Sequence, residues 1–331
     1  MRILCTGAAG FLGQHLTRRL LDDGHEVVAL DDFSTGRVEH LPAHPRLTVA
    51  WGDDTHTQGV DVRDAIALQK LGHDFDRIYH LACPASPPIY QRDPVRTLET
   101  GVWGTRTILY HATWKPGRTR VLLASSSEIY GEPQTHPQPE TLWSHVNTVG
   151  ERSSYDLGKA AAEALAIAYM KKYQIDCRIA RIHNTAGPGM NLRDGRVVSN
   201  FCVQALQGMP LTVYGDGSQT RSICYVDDMV NGLVALMEHP TNPGPVNLGN
   251  PEEVTVLALA RRVRYHVAGR EDGPIVFQPL PGDDPTRRCP DITKARTVLG
   301  WTPKITLDEG LTRTIPYFRE ELTKWARVTS T

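Results

Sequence analysis

Tyr155 and Lys159 stand four residues apart in a helical pattern, so a phenol and an ammonium group share one helix face. A phenol with an ordinary pKa of about 10 is a poor base at neutral pH, but an adjacent ammonium group stabilises the phenolate. Ser126 lies upstream in a run of three serines and is suited to hold a substrate hydroxyl against the phenol. Together the three residues predict oxidation of a hydroxyl group.

Glu128 follows the serine run directly and adds a carboxyl group that hydroxyl oxidation alone does not need. A carboxyl group at this place predicts that a proton is also moved on the substrate. The structural alternative is a carboxylate that only accepts hydrogen bonds from loop amides.

Hydroxyl oxidation requires a hydride acceptor, and the N-terminal sequence predicts one. The run Gly7-Ala8-Ala9-Gly10-Phe11-Leu12-Gly13 follows an apolar strand and opens a helix, which brings backbone N–H groups to a pyrophosphate. Asp31 ends the next strand and is placed to accept hydrogen bonds from ribose hydroxyls, which favours NAD, while Arg37 keeps NADP as the second possibility. We predict cofactor contacts from Gly7, Gly10, Phe11, Leu12, Gly13, Asp31, Asp32, Asp61, Val62, Leu81, Ala82, Tyr155 and Lys159.

The elements that must position these groups alternate along the chain. Strand patterns cover residues 3–6, 27–30, 78–81, 121–124 and 177–182, and helical patterns cover 13–23, 95–111 and 154–173. This rhythm predicts an α/β fold, a Rossmann-like doubly wound parallel sheet. Loops rich in Gly and Pro after about residue 184 predict a smaller interleaved α/β lobe. We assign residues 1–184 and about 225–248 to an NAD-binding domain, and about 185–224 and 249–331 to a substrate-binding lobe.

Composition excludes several classes of function. The 331 residues carry a formal net charge of −1, which gives no electrostatic case for binding nucleic acid or an anionic membrane. The six cysteines include no CxxC pair and the thirteen histidines no HExxH-like spacing, so we expect reduced thiols and no metal site. The sequence shows neither an apolar leader nor a membrane-spanning run, and we expect a soluble cytoplasmic protein.

Longer motifs add a family resemblance that covers essentially the whole chain. The sequence resembles the extended short-chain dehydrogenase/reductase family and, within it, the UDP-glucuronate decarboxylases, also called UDP-xylose synthases. The most specific match is Cys83-Pro84-Ala85-Ser86-Pro87. Further matches lie at residues 194–201, 211–221, 246–251 and 299–301.

The resemblance implies NAD-dependent decarboxylation of a nucleotide-diphospho-glucuronate in carbohydrate biosynthesis. Oxidation at C4 places a ketone β to the C5 carboxylate, CO₂ leaves, C5 is protonated, and C4 is reduced again. Glu128 is then expected to handle the proton near C5, and Arg288 to hold the sugar carboxylate. The substrate is UDP-glucuronate or dTDP-glucuronate, and the implied substrate contacts are Pro84, Ser86, Asn184, Val198, Asn200, Val213, Tyr214, Arg221 and Arg288.

Five positions depart from the family pattern. His183 replaces the usual Phe, and Ala186 and Gly189 replace the Tyr and Arg of Asn-Thr-Tyr-Gly-Pro-Arg. Gly101 replaces an Asn that helps hold a proton-relay water, and Cys224 replaces a Gln. The missing large side chains predict a looser pocket that releases some 4-keto pentose before the final reduction.

Three other activities remain possible from the residues. A nucleotide-sugar 4-epimerase shares the cofactor loop and Tyr155/Lys159 but does not need Glu128 or Arg288. A 4,6-dehydratase carries an Asp at the position of Ser127. A non-catalytic NAD-binding interaction protein has no use for the whole set.

The resemblance also implies a homodimer, formed by the helices near 95–111 and 154–173 packed as a four-helix bundle. Apolar positions on these helices exceed what one sheet face requires, namely Leu98, Val102, Leu109, Leu165 and Tyr169.

Overall fold

The structure, a computed structural model, describes residues 1–329. The strands are β1 (Arg2–Thr6), β2 (Glu26–Leu30), β3 (Leu47–Val49), β4 (Arg77–His80), β5 (Arg120–Ser126), β6 (Asp176–Ile182), β7 (Thr185–Ala186), β8 (Leu211–Tyr214), β9 (Thr220–Ser222), β10 (Cys224–Tyr225), β11 (Val246–Leu248), β12 (Glu253–Thr255), β13 (Ile275–Gln278) and β14 (Arg287–Arg288). The α-helices are α1 (Phe11–Asp22), α2 (Ala65–Lys70), α3 (Pro87–Arg92), α4 (Pro94–Glu99), α5 (Thr105–Ala112), α6 (Ser153–Tyr173), α7 (Val197–Leu206), α8 (Val226–Glu238), α9 (Val256–Ala268), α10 (Thr293–Leu299) and α11 (Leu307–Thr329).

Seven strands form one parallel sheet in the order β11-β6-β5-β4-β1-β2-β3. The central strands are almost fully buried, as expected for a parallel sheet covered on both faces. Helices α1 and α8 pack on one face, and α2, α5 and α6 pack on the other. The predicted α/β, Rossmann-like doubly wound sheet is therefore confirmed.

The sequence patterns placed the central strands within two residues of their observed bounds but missed the edge strand β3. That strand has only three residues and none of them is fully buried, so it carries no strong apolar signal. The helix predicted over 95–111 is also interrupted. Between α4 and α5 the backbone forms a π-helical segment at Thr100–Gly104.

A second set of elements lies C-terminal to β6. Strands β12, β9 and β14 form one small sheet, and β8 pairs with β13. Helices α7, α9 and α11 pack around a separate apolar cluster. Strand β11 returns to the large sheet beside β6, and the exact division of the chain into two lobes stays a prediction.

None of the helices within residues 1–329 is both long enough and apolar enough to cross a membrane.

Candidate active site

A cavity of about 510 Å³ opens where the carboxyl ends of the central strands face the second set of elements. Ligands of open α/β sheets bind at this edge. The predicted residues that line the cavity are Gly7, Gly10, Phe11, Leu12, Gly13, Asp31, Asp32, Val62, Leu81, Ala82, Pro84, Ser86, Ser126, Glu128, Tyr155, Lys159, Asn184, Val198, Asn200, Tyr214, Arg221 and Arg288.

Two predicted contacts do not reach the cavity with their side chains. The Asp61 carboxylate is held by Arg63, with 2.7 Å between Oδ2 and Nη2. Val213 is fully buried in the apolar cluster of the second lobe, while its neighbours Thr212 and Tyr214 line the cavity. The alternation of side chains along β8 explains the difference.

The glycine loop fits a dinucleotide. A Cβ atom on Gly13 would lie 2.0 Å from the Gly7 carbonyl oxygen, so only glycine permits this approach of helix and loop. Gly10 precedes α1 with extended backbone angles, and no side chain among residues 1–329 caps that helix end. The free amides at the helix N-terminus suit a pyrophosphate.

Asp31 serves both the loop and the expected ribose. Its carboxylate accepts hydrogen bonds from the Ala9 and Phe33 amides, both at 2.9 Å. Burial raises the pKa of Asp31 to about 6, against these amide bonds, which lower it. Arg37 is paired with Glu321 at 2.9 Å, so its charge is already neutralised and does not favour a 2′-phosphate.

Tyr155 and Lys159 lie on one face of α6, as predicted, but the ammonium does not bond the phenol. The Lys159 Nζ atom donates to the Ala124 carbonyl oxygen at 2.7 Å and lies 5.8 Å from the Tyr155 ring centroid. Burial raises the pKa of Tyr155, and a hydrogen bond with Ser126 opposes that increase. Burial outweighs the Ser126 hydrogen bond, so the pKa of Tyr155 lies above its ordinary value. Tyr90 stacks on Tyr155 with ring centroids 5.0 Å apart.

Gly101 lies in the π-helical segment and faces α6. A Cβ atom there would stand 3.3 Å from the Gly158 backbone, tighter than most real contacts. The two glycines let the segment approach the helix that carries Tyr155 and Lys159. Gly101, which replaces the Asn of the family pattern, thus allows close packing of the two segments in this chain.

Glu128 lies between two guanidinium groups. Its Oε2 atom is 2.7 Å from Arg152 Nη2 and 3.2 Å from Arg288 Nη2. Burial alone would raise the pKa of Glu128, but the charges of Arg288 and Arg152 outweigh it and hold the pKa well below its usual range. Glu128 is accordingly an anion at neutral pH. The Arg288 Nη1 atom also donates to the Ser127 carbonyl oxygen at 2.6 Å.

Asp284 links this cluster to Arg221. Its carboxylate pairs with Arg221 at 2.7 Å and with Arg152 at 3.2 Å. The sequence analysis missed Arg152, Asp284 and Tyr90. The position of Arg152, three residues before Tyr155 at the start of α6, was the one available signal.

The positions that depart from the family pattern have different surroundings in the structure. Ala186 is buried in the apolar cluster of the second lobe. Gly189 has a φ of +89°, and a Cβ atom there would lie 2.4 Å from the Gln14 amide nitrogen, so Gln14 occupies the space. Cys224 is fully buried, and burial raises its pKa well above the usual value. The predicted looser pocket, with release of some 4-keto pentose, stays a prediction, and Gly189 lines the cavity.

One group of metal-ligating side chains occurs within the described residues. Ligand atoms of His136, Glu253 and Cys289 lie within 4.8 Å of one another. The Glu253 carboxylate already accepts hydrogen bonds from His136 and Thr220 and faces Arg287. These partners satisfy the carboxylate without an ion.

Known proteins resemble this chain in sequence and in structure. A sequence profile of the NAD dependent epimerase/dehydratase family matches residues 3–249. UDP-glucuronic acid decarboxylase 1 of Danio rerio is 50% identical over 97% of this chain and 73% of its own length. UDP-glucuronic acid decarboxylase 1 of Arabidopsis thaliana is 49% identical over 97% of this chain and 71% of its own. Among solved structures, the UDP-glucuronic acid 4-epimerase of Bacillus cereus with UDP-glucuronic acid and NAD has a TM-score of 0.82 at 28% identity, covering 97% of this chain and 100% of its own.

Proposed function

This chain belongs to the NAD-dependent epimerase/dehydratase family, and on that premise we propose that it is an NAD-dependent decarboxylase that converts UDP-glucuronate to UDP-xylose and CO₂. The observation that carries the proposal is the pair of guanidinium groups, the buried Arg288 and the partly buried Arg152, around Glu128 in the same cavity as Tyr155. A planar guanidinium fork suits a sugar carboxylate. The relatives named as decarboxylases of this substrate support the assignment.

Tyr155, Ser126 and Lys159 would act on the C4 hydroxyl. A bound NAD would supply the hydride acceptor for oxidation at C4 and the hydride donor for the later reduction. Tyr155 accepts the hydroxyl proton, and Ser126 holds the oxygen close to the phenol. Lys159 supplies a nearby positive charge that favours the phenolate, against the burial that raises the pKa of Tyr155.

Arg288 and Glu128 would act on the carboxylate and on C5. Once C4 is a ketone, the C5–carboxylate bond breaks and its electron pair forms an enolate. A uronate carboxylate that binds Arg288 removes one of the two cations from Glu128, so the pKa of Glu128 rises. Glu128 can then take up a proton from solvent water and pass it to C5, directly or through a water molecule, as the enolate returns to the C4 ketone. Substrate binding thereby converts a structural anion into a proton carrier.

The alternatives differ in the fate of the carboxylate. The relative from Bacillus cereus is named a UDP-glucuronic acid 4-epimerase, so a uronate is compatible with that activity on this fold. A 4,6-dehydratase is disfavoured because Ser127 has no carboxyl group and is buried. A non-catalytic NAD-binding protein has no use for the buried Arg152–Glu128–Arg288 cluster.

Mass spectrometry of the products from UDP-glucuronate and from dTDP-glucuronate with NAD⁺ tests the proposal. We expect loss of CO₂ and a nucleotide-pentose, with UDP- and dTDP-sugars compared at equal concentration. Net NADH in the same reaction would identify release of the 4-keto pentose. Tyr155→Phe should keep NAD binding and abolish turnover. A product with the mass of the substrate would assign epimerisation and contradict the proposal.

We also propose a homodimer formed through α4, α5 and α6. Leu98 is 41% exposed and Trp103 is 54% exposed on the α4–α5 segment, which supports an apolar interface there. Leu109 is 1% exposed in the core of its own subunit, so its expected place in the interface is wrong. Light scattering after size-exclusion chromatography should give twice the subunit mass for the wild type and a monomer for Trp103→Glu.

We further propose a cytoplasmic location. All six cysteines are unpaired within residues 1–329, which is typical of a reducing compartment. Cell fractionation with an untagged protein would test this, and recovery in a membrane pellet would contradict it.

A further inference from the structure

His183 follows β6 and lines the cavity, yet its side chain is almost completely buried, with 2% of the residue exposed. Neither ring nitrogen makes a hydrogen bond of good geometry among residues 1–329. The Asn247 side chain lies near enough to raise the pKa of the ring, but it can serve at most one of the two nitrogens. A buried polar group without a partner costs about 1–3 kcal/mol. An imidazole that is kept in such a place therefore needs a partner that arrives with the ligands.

The Asn247 side chain near the ring already uses its hydrogen bonds within the fold. Its amide nitrogen donates to the Gln138 and Asp291 carbonyl oxygens, and its oxygen accepts from the Tyr130 hydroxyl. His183 also lines the cavity, so a bound ligand can supply the partner that the fold does not.

The His183 ring is uncharged, which suits a subsite that already holds the Arg288 guanidinium group. Burial, followed by the nearby charge of Arg288, lowers the pKa of His183 to about 3. The imidazole is therefore neutral at physiological pH and offers one N–H donor and one acceptor nitrogen. It adds a donor beside Arg288 without a second positive charge.

We infer that His183 is a specificity-determining residue of the sugar subsite, whose imidazole N–H donates a hydrogen bond to the uronate carboxylate beside Arg288. This inference rests on the proposed function, because it takes the ligand to be a uronate. The Phe that the family usually carries at this position has the volume but no donor.

Ligand binding without turnover tests the inference. Affinities for UDP-glucuronate, UDP-glucose and UDP are measured by calorimetry with saturating NAD⁺ in a Tyr155→Phe background, with and without His183→Phe. Loss of a hydrogen bond to a charged group predicts a Kd for UDP-glucuronate that is about tenfold higher. The Kd for UDP should stay within about twofold, and that for UDP-glucose should rise by no more than about twofold, because neither ligand carries the carboxylate.

Two further variants separate hydrogen bonding from packing. His183→Gln keeps a donor and should restore the UDP-glucuronate Kd to within about threefold of the parent. His111→Phe is the matched control, since His111 is also buried but bonds the Gly72 carbonyl oxygen away from the cavity, and it should leave all three affinities unchanged.

An unchanged UDP-glucuronate Kd in His183→Phe overturns the inference. An equal loss for UDP or for UDP-glucose also overturns it, because the effect would then not concern the carboxylate. The outcome is independent of catalysis: if the wild type releases no CO₂ the proposed function fails, while the affinities still report whether His183 recognises a uronate.

Discussion

The two ends of the cavity are built in different ways. The cofactor end consists of the loop Gly7–Gly13 with Asp31, one stretch of chain that acts mainly through backbone amides. The sugar end consists of Glu128, Arg152 and Arg288, charged side chains from three separate segments. The first end depends on how closely the backbone can approach a ligand, and the second depends on the balance of buried charges.

This difference predicts different responses to substitution. At the cofactor end an added atom should be harmful and a lost side-chain charge should matter less. At the sugar end any change in charge should alter the pKa and orientation of the remaining groups, because the three are held by one another. The variants described next change residues at one end of the cavity, and the measurements show whether the other end is affected.

Arg288→Lys should have the largest effect. Arg288 is 1% exposed and contacts both Glu128 and the Ser127 carbonyl oxygen, which a single ammonium group cannot reproduce. Disruption of a buried ion pair costs about 3–5 kcal/mol, so kcat/KM for CO₂ release should fall by about 10³-fold. The Kd for NAD should remain within about twofold of wild type, because Arg288 lies at the sugar end. A parallel loss of NAD affinity would break the distinction between the two ends.

Gly13→Ala should damage the opposite end. The new Cβ atom would lie 2.0 Å from the Gly7 carbonyl oxygen, and the loop must move to admit it. Overpacking costs about 1–3 kcal/mol, so the Kd for NAD, measured by fluorescence titration, should rise by up to about 10²-fold. Gly282→Ala is the control, since a Cβ there meets nothing within 4 Å in the described part of the chain. Unchanged NAD binding in Gly13→Ala would refute the role of close backbone approach.

His183→Phe should reduce the amount of folding stability that the protein loses as the pH falls from 7 to 5. The pKa of His183 is lowered to about 3 in the folded protein, whereas an unfolded histidine titrates near 6.5. Below that value the unfolded state binds more protons, so stability is lost as the pH falls. From pH 7 to pH 5 this one group removes about 2 kcal/mol of stability. Urea unfolding at both pH values should show a correspondingly smaller loss for the variant. The same loss in both proteins would show that His183 is not a buried neutral imidazole.

Arg152→Gln should have the smallest effect of the four. Glu128 keeps Arg288 but loses its nearer cation, so its pKa rises toward the usual range. One opposite charge at this distance lowers a carboxyl pKa by about 1–3 units. The basic limb of the kcat profile, which reports loss of the Glu128 proton in the substrate complex, should therefore move upward by at least about one unit. We expect activity at neutral pH to fall by about tenfold. A basic limb that stays in place would show that Glu128 does not control it.

The sequence predicted the cofactor end more fully than the sugar end. Gly7, Gly13 and Asp31 belong to one contiguous pattern whose spacing has a physical reason. Glu128 and Arg288 were found through motifs and resemblance, but the pairing between them was not. Arg152 and Asp284 enter the site through contacts between distant segments, which no local spacing encodes.

Side-chain direction was the other source of error. Leu109 was counted among the apolar positions in excess of what one sheet face requires, yet it is buried in the core of its own subunit. The side chain of Val213, which was assigned from the resemblance, is buried as well. Neighbouring strands and helices decide which face of an element is covered. The sequence of that element alone does not.

The pairing of β14 with β9 determines when the sugar end can exist. Arg288 reaches Glu128 from a strand that pairs with β9 through Arg221, and it lies only 43 positions before the last of the 331 residues. Chains are synthesised from the N-terminus at about 5–20 residues per second, and earlier segments begin to fold first. The glycine loop and Tyr155 therefore leave the ribosome several seconds before Arg288. During synthesis the glycine loop that is expected to bind the dinucleotide is therefore available before Arg288, which is expected to bind the carboxylate of the sugar.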